Sequence, residues 1–196
     1  MTAVAIVGTG PMGIYTFRAL CAKPQPLHIW LFEKYSKAGI GMPYSPETAS
    51  KSMLANIASI EIPSLSDTYL DWLQAQPKAR LRGYGLDPTD LDDRQFTPRL
   101  LLGEYFRDQL MALVQTARSA GHAVVVREGT EVLDIRPTGA GLIVRTGSGD
   151  VEEVFDRVVL ATGHVFPDSE VGVSMQPVSA TVPSATKEKA RERASA

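Results

Sequence analysis

The stretch AVAIVGTGPMGIYTFRALCA, residues 3–22, decides the fold. Its first six residues are short, apolar and partly β-branched, and they end in glycine, so they read as a strand buried on both faces. PMGIYTFRALCA, residues 11–22, reads as a helix, with Pro11 tolerated in the first turn, where its missing N–H costs nothing. Pro24 and Pro26 stop it, and LHIWLFE, residues 27–33, forms a second strand. Strand, glycine turn, helix and strand open a βαβ unit.

Between the first strand and the helix, Gly8, Gly10 and Gly13 match G-x-G-x-x-G in the context that gives the motif its meaning. Gly8 allows the tight turn, Gly10 lets backbone approach a pyrophosphate, and Gly13 lets helix pack on sheet. The free N–H groups of the first helical turn then face an anion, aided by the helix dipole. Glu33 ends the second strand, 20 residues after Gly13. A carboxylate there accepts from both ribose hydroxyls of an adenosine and repels a 2′-phosphate, with Lys34 beside it softening that exclusion. The alternatives are a plain strand-to-helix turn and a solvated strand-end charge. Loop and acid together specify an adenine dinucleotide without separating FAD from NAD.

Outward from this unit, residues 34–65 lack a period and are punctuated by glycine and proline, and a loop of that length inside a compact domain is usually functional. Ser66 or Asp67 can cap a helix over 67–76. Residues 77–98 read as irregular. A long helix over 99–120 carries Leu102, Tyr105, Phe106, Leu110 and Leu113 as one stripe, and Gly121 caps it. From residue 122 the period becomes two, and HAVVVREG, TEVLDIRPTG, GLIVRTGSGD and EEVFDRVVLATG read as four strands. The expected architecture is α/β: a Rossmann-like domain over residues 1–166, with a central parallel sheet of order 3-2-1 plus the final strand and a β-meander on one face. Residues 167–196 hold no aromatic residue and too little bulky apolar surface to offset the entropy of ordering. They are expected to be disordered, with a frayed helix near 186–194.

Composition excludes other classes. A formal net charge of −2 gives no nucleic-acid footprint. No apolar run approaches the roughly 20 residues of a membrane span. The N-terminus has no basic region of a signal peptide, so a soluble, cytoplasmic protein is the expectation. Cys21 is single, a small apolar residue on a helix, and no Cys/His cluster has metal-ligand spacing. DLDD, residues 90–93, reads as a solvated loop, so no metal is expected.

The order of parts, together with AGIGMPYSP (38–46), MLANI (53–57), EIPS (61–64), FTPRLLLGEYFRDQL (96–110) and VVLATGH (158–164), resembles the FAD/NAD(P)-binding domain family of bacterial flavoprotein oxidoreductases. That family is related to flavin monooxygenases within the two-dinucleotide-binding-domain superfamily. The resemblance covers about residues 3–166. It implies FAD as cofactor and NAD(P)H as electron donor, with hydride transfer to the flavin. It implies that Gly8, Gly10, Pro11, Met12 and Gly13 bind the pyrophosphate and that Glu33 and Lys34 bind the ribose. It further implies that the 39–44 loop with Gly41 lies along the pyrophosphate or toward the flavin. Asn56 would donate to the cofactor, and Val132, next to Glu131, would start the strand whose backbone meets adenine. Thr162 and Gly163 would sit close to the first glycine loop.

Plainer readings stand beside these. Asn56 can cap a turn, Tyr44 and Tyr105 can be packing residues, Arg99 a solvated helix-start charge, and His164 a turn residue. Phe17 stands where the family usually has a small residue. After ATGH only a polar tail follows, with no second G-x-G-x-x-G, so a truncated or naturally shortened flavoprotein is expected. A partner chain or an oligomer would complete its flavin site. The alternative is a non-catalytic module that binds an adenine dinucleotide or a partner.

Overall fold

The computed structural model describes residues 1–163, and the tail and His164 lie outside them. Strand β1 (Thr2–Val7) leads through the glycine loop into helix α1 (Pro11–Cys21), and β2 (Leu27–Phe32) follows. Two short helices, α2 (Tyr69–Gln74) and α3 (Lys78–Gly83), precede the long α4 (Arg99–Ser119). Then come β3 (Ala123–Arg127), β4 (Val132–Thr138), β5 (Gly141–Thr146), β6 (Gly149–Phe155) and β7 (Arg157–Leu160). The first sheet is wholly parallel, with order β3-β2-β1-β7, and the second is an antiparallel meander, β4-β5-β6. The doubly covered parallel sheet expected from the first 33 residues is therefore present. HAVVVREG joins it at one edge, and the final strand joins it at the other.

The period of two along β1 and β2 sorts the core into halves. Ile6, Ile29 and Leu31 pack with Ile14 and Phe17 of α1 and with Leu102, Tyr105, Phe106 and Leu110 of α4. Ala3, Ala5 and Phe32 point the other way and pack with Val144 and Phe155 of the meander. Phe17 is fully buried in the first half. The small alanines of β1 leave room for the aromatic group on the meander side, where Phe155 meets Trp30 and Phe32 edge-on at 5.8 and 6.2 Å.

Three elements differ from expectation. The α2 cap is Thr68, whose hydroxyl accepts from the Asp71 N–H at 3.1 Å, one or two residues later than Asp67 or Ser66. Helix α3 occupies part of the stretch read as irregular, started by Pro77, which cannot continue an upstream helix but suits a helix entry. EEVFDRVVLATG is two strands, not one. At Asp156 the chain leaves the meander for the parallel sheet: its carboxylate accepts from the Ala3 N–H at 2.8 Å, and its own N–H donates to the Ala3 carbonyl at 2.9 Å. A single polar residue thus satisfies the start of β1 while the strand changes partners.

Candidate functional site: the carboxyl ends of the parallel strands

The loops after β1, β2, β3 and β7 converge at one end of the sheet, which is where ligands bind open parallel sheets. Gly10 caps α1 with extended backbone, no side chain caps this helix, and no acidic residue lies in its first turn. Ile14 is the first residue whose N–H finds a helical acceptor, the Gly10 carbonyl at 3.0 Å. The Met12 and Gly13 N–H groups precede it and are oriented outward by the helix, as an anion requires. The Met12 side chain is itself exposed.

The glycines are fixed by close approach. A Cβ on Gly13 would fall 2.1 Å from the Gly8 carbonyl oxygen, so α1 can sit this close to β1 only with glycine there. A Cβ on Gly8 would fall 2.3 Å from the Ala161 carbonyl oxygen and 3.2 Å from the Thr162 Cα, so the chain leaving β7 passes against the loop at Thr162. Gly41 faces the loop from the opposite side: its φ is +78°, and a Cβ would meet the Pro11 ring at 2.9 Å and the Gly10 Cα at 3.2 Å.

Glu33 is 7% exposed and satisfied from three directions. Its Oε2 accepts from the Thr9 N–H at 3.2 Å and the Thr9 hydroxyl at 2.7 Å, and its Oε1 accepts from the Tyr35 N–H at 3.1 Å. The Gly39 N–H donates in turn to Thr9 Oγ1 at 2.9 Å. The Glu33 backbone bridges to the next loop: its N–H donates to the Arg127 carbonyl, and its carbonyl accepts from the Thr130 N–H. That pairing places Val132 two residues beyond Thr130, the partner of Glu33, with its side chain packed against the meander-side core. Lys34 is exposed, with its ammonium 5.0 Å from the Tyr35 ring centroid.

The 36–41 loop is held from outside by Glu128 and Arg107. Glu128 accepts from the Ala38 N–H at 2.8 Å and from the Arg107 guanidinium at 2.5 Å, and Arg107 also donates to the Ala38 carbonyl at 2.7 Å. Burial pushes the Glu128 carboxyl up, but the Ala38 N–H and the Arg107 cation outweigh it and hold it below its ordinary value. Beyond Gly41 a cavity of about 310 Å³ opens between this loop and the start of α4, lined by Tyr35, Lys37, Tyr44, Tyr84 and Glu104 among others. Tyr84 donates to Glu104 at 2.7 Å, and burial together with that carboxylate pushes its phenol up to about 12.

The structure therefore brings Gly8, Gly10, Pro11, Met12, Gly13, Glu33, Gly41 and Thr162 to one end of the sheet, with Gly163 next along the chain. Asn56 is exposed on the 50–62 excursion, next to Ala55, whose N–H donates to the Thr97 carbonyl at 2.8 Å. Among the described residues no hydrogen bond ties Asn56 to the glycine loop. Arg99 donates to the Leu54 carbonyl at 3.1 Å, a loop-pinning contact. Tyr105 is buried and donates to the Asp67 carbonyl at 2.9 Å, which gives it a packing role. Thr9, Arg107 and Glu128 were not singled out from sequence. The one signal for Thr9 was a hydroxyl inside the glycine loop.

A family model described as FAD-NAD(P)-binding matches residues 5–165, from within β1 to beyond β7. The chain belongs to that family. It is 53% identical over 170 residues to the uncharacterized protein YdhS of Escherichia coli strain K12, covering 87% of this chain and 32% of that protein. The chain thus spans about a third of the length of the curated relative it matches. Among solved structures, a flavin monooxygenase from Stenotrophomonas maltophilia has a TM-score of 0.50 at 14% identity, covering 82% of this chain and 38% of that one. An ornithine hydroxylase from Pseudomonas aeruginosa has a TM-score of 0.43 at 16% identity, covering 86% and 38%. The monooxygenase shares the fold, a Rossmann-like arrangement with a meander. The chain is thus an FAD/NAD(P)-binding domain on a Rossmann-like fold. Among the described residues, no helix is long and apolar enough to cross a membrane.

The residues present fit a dinucleotide. Among the described residues, the first turn of α1 offers backbone donors without a side-chain acceptor, beside glycines at positions 8 and 13 that admit no side chain. Glu33 uses three of its roughly four acceptor positions within the protein, leaving one on Oε1.

Proposed function

We propose that the domain, residues 1–166, binds FAD. In this reading the first turn of α1 and Gly8–Gly13 take the pyrophosphate, Glu33 takes the adenosine ribose with Lys34 beside it, and Val132 backbone lies near adenine. Gly41, Thr162 and Gly163 border the phosphate chain, and Asn56 reaches the cofactor from the excursion. The observation that carries this reading is the uncapped, acid-free N-terminus of α1 set beside a buried carboxylate that its own loop orients. A buried carboxylate at the ribose position favours unphosphorylated ribose, which supports FAD at this site over a 2′-phosphorylated dinucleotide.

Bound flavin would supply two-electron chemistry, with hydride from NAD(P)H as the entering reductant and oxygenation as an optional second reaction. The chain's own part is to bind, to orient the ADP half and to exclude water along β1 and α1. A partner chain or a second copy completing the flavin face belongs to the same proposal, as does a cytoplasmic setting. A non-catalytic module that binds an adenine dinucleotide or a partner is the competing reading.

The visible absorption spectrum of the purified protein, with chromatography of the released cofactor, tests the proposal. A yellow protein releasing one equivalent of FAD supports it, and reduction by NADPH then separates an oxidoreductase from a module. A colourless protein that also fails to take up added FAD overturns it.

A further inference from the structure

The Glu33 carboxylate is unevenly used. Its Oε2 already accepts two hydrogen bonds, both from Thr9, at 3.2 and 2.7 Å. Its Oε1 accepts one, from the Tyr35 N–H at 3.1 Å. A carboxylate oxygen has two lone-pair positions, so Oε2 is filled by the protein and Oε1 keeps one place. The Thr9 hydroxyl spends its hydrogen on Glu33 and takes the Gly39 N–H at 2.9 Å. Thr9 is 1% exposed and Glu33 7%, so water does not substitute for either partner cheaply.

We infer that Thr9 is a positioning residue that clamps the ribose acid to both cofactor loops and leaves Glu33 Oε1 as a single-hydroxyl acceptor. The expectation from sequence alone was a carboxylate shared by both ribose hydroxyls. With Oε2 committed, only one ribose hydroxyl meets the charged acceptor. The second must find a weaker neutral partner or water. The clamp also makes the site one preformed unit: the 8–13 loop, the end of β2 and the 39–41 loop are joined through one hydroxyl. A ligand entering such a site need not order the loops itself, and that ordering otherwise subtracts from affinity.

This inference rests on the ADP-ribose reading of the site, and the test separates the two. Calorimetric titration of the full chain with ADP, 2′-deoxy-ADP and 3′-deoxy-ADP is the first measurement. One deoxy analogue should bind about tenfold more weakly than ADP, as the loss of a hydrogen bond to a charged group implies, and the other within about threefold. Equal losses for both analogues overturn the single-hydroxyl acceptor. The second measurement is FAD affinity in Thr9→Val, which keeps the shape, and Thr9→Ser, which keeps the hydroxyl. The valine variant should lose about tenfold and the serine variant should recover to within about threefold of the parent. A Thr9→Val protein that binds FAD like the parent overturns the clamp while leaving the ribose reading intact. Should Thr9→Val fail to fold, the analogue series on the parent chain still decides. If neither ADP nor FAD binds, or if Glu33→Gln leaves both affinities unchanged, the ribose reading itself fails and the inference falls with it.

Discussion

At Glu33 and Lys34, two adjacent residues of opposite charge have different environments. Glu33 is buried and held by Thr9 and Tyr35, and Lys34 is exposed over a tyrosine ring. A charged partner inside a low-dielectric site contributes more than one in solvent. Glu33→Ala should therefore weaken FAD binding by about tenfold or more, and Lys34→Ala by less than about threefold. Equal affinities of the two variants in a fluorescence titration would count against the ribose assignment. Gly41 tests the opposite wall of the site. Gly41→Ala puts a methyl 2.9 Å from the Pro11 ring at a φ of +78° and should cost about 1–3 kcal/mol of stability in a denaturant melt. The glycines and Glu33 were legible in sequence because a backbone that must approach something closely can use only glycine, and a strand end fixes where its last side chain goes. Thr9 was not legible, because its role depends on a partner 24 residues away.

At the scale of elements, the 36–41 loop is held by a contact between α4 and the end of β3 rather than by its own sequence. Glu128 holds Ala38 by its N–H and Arg107 holds it by its carbonyl. The Glu128 carboxyl is depressed in the folded protein relative to an ordinary value of 4.5. The folded state therefore gains from its ionised form above that value and loses the gain as pH falls through the depressed one. Thermal melts of the parent and Glu128→Gln should differ most near neutral pH and converge as pH falls through and below the depressed value. A gap that stays constant with pH would show that the carboxylate's charge is not what holds the loop. The same scale shows where sequence reading ran short. Period and turn glycines located β3, β4, β5 and α4, since those features are local. The division of EEVFDRVVLATG at Asp156 depends on Ala3, at the far end of the chain, and no local pattern records it. Helix α3 is six residues long, too short for a stripe to declare itself.

Over the described residues as a whole, one parallel sheet carries two cores of unequal size. The helix-side core is large, and the meander-side core rests on a small aromatic group around Phe155. Each core contains one of the two tryptophans: Trp72 is packed with Tyr69 and Tyr105 on the helix side, and Trp30 lies 5.8 Å from the Phe155 ring on the meander side. Phe155 is fully buried, and β6 hands the chain to β7 immediately after it. Removing its ring leaves a cavity at the aromatic seam between meander and sheet, and a Phe→Ala change of this kind costs about 3–5 kcal/mol. In a Trp72→Phe background, Trp30 fluorescence reports the meander side alone and far-UV circular dichroism reports the whole. The two urea transitions should coincide when Phe155 is present, as a cooperative domain requires. With Phe155→Ala the fluorescence transition should move to lower urea ahead of the dichroism, because the meander loosens while the helix-side core still stands. Coincident transitions shifted together would mean that the cores fold as one unit. Dinucleotide affinity, set at the strand ends by loops that the helix side anchors, would then fall with meander stability instead of surviving its loosening.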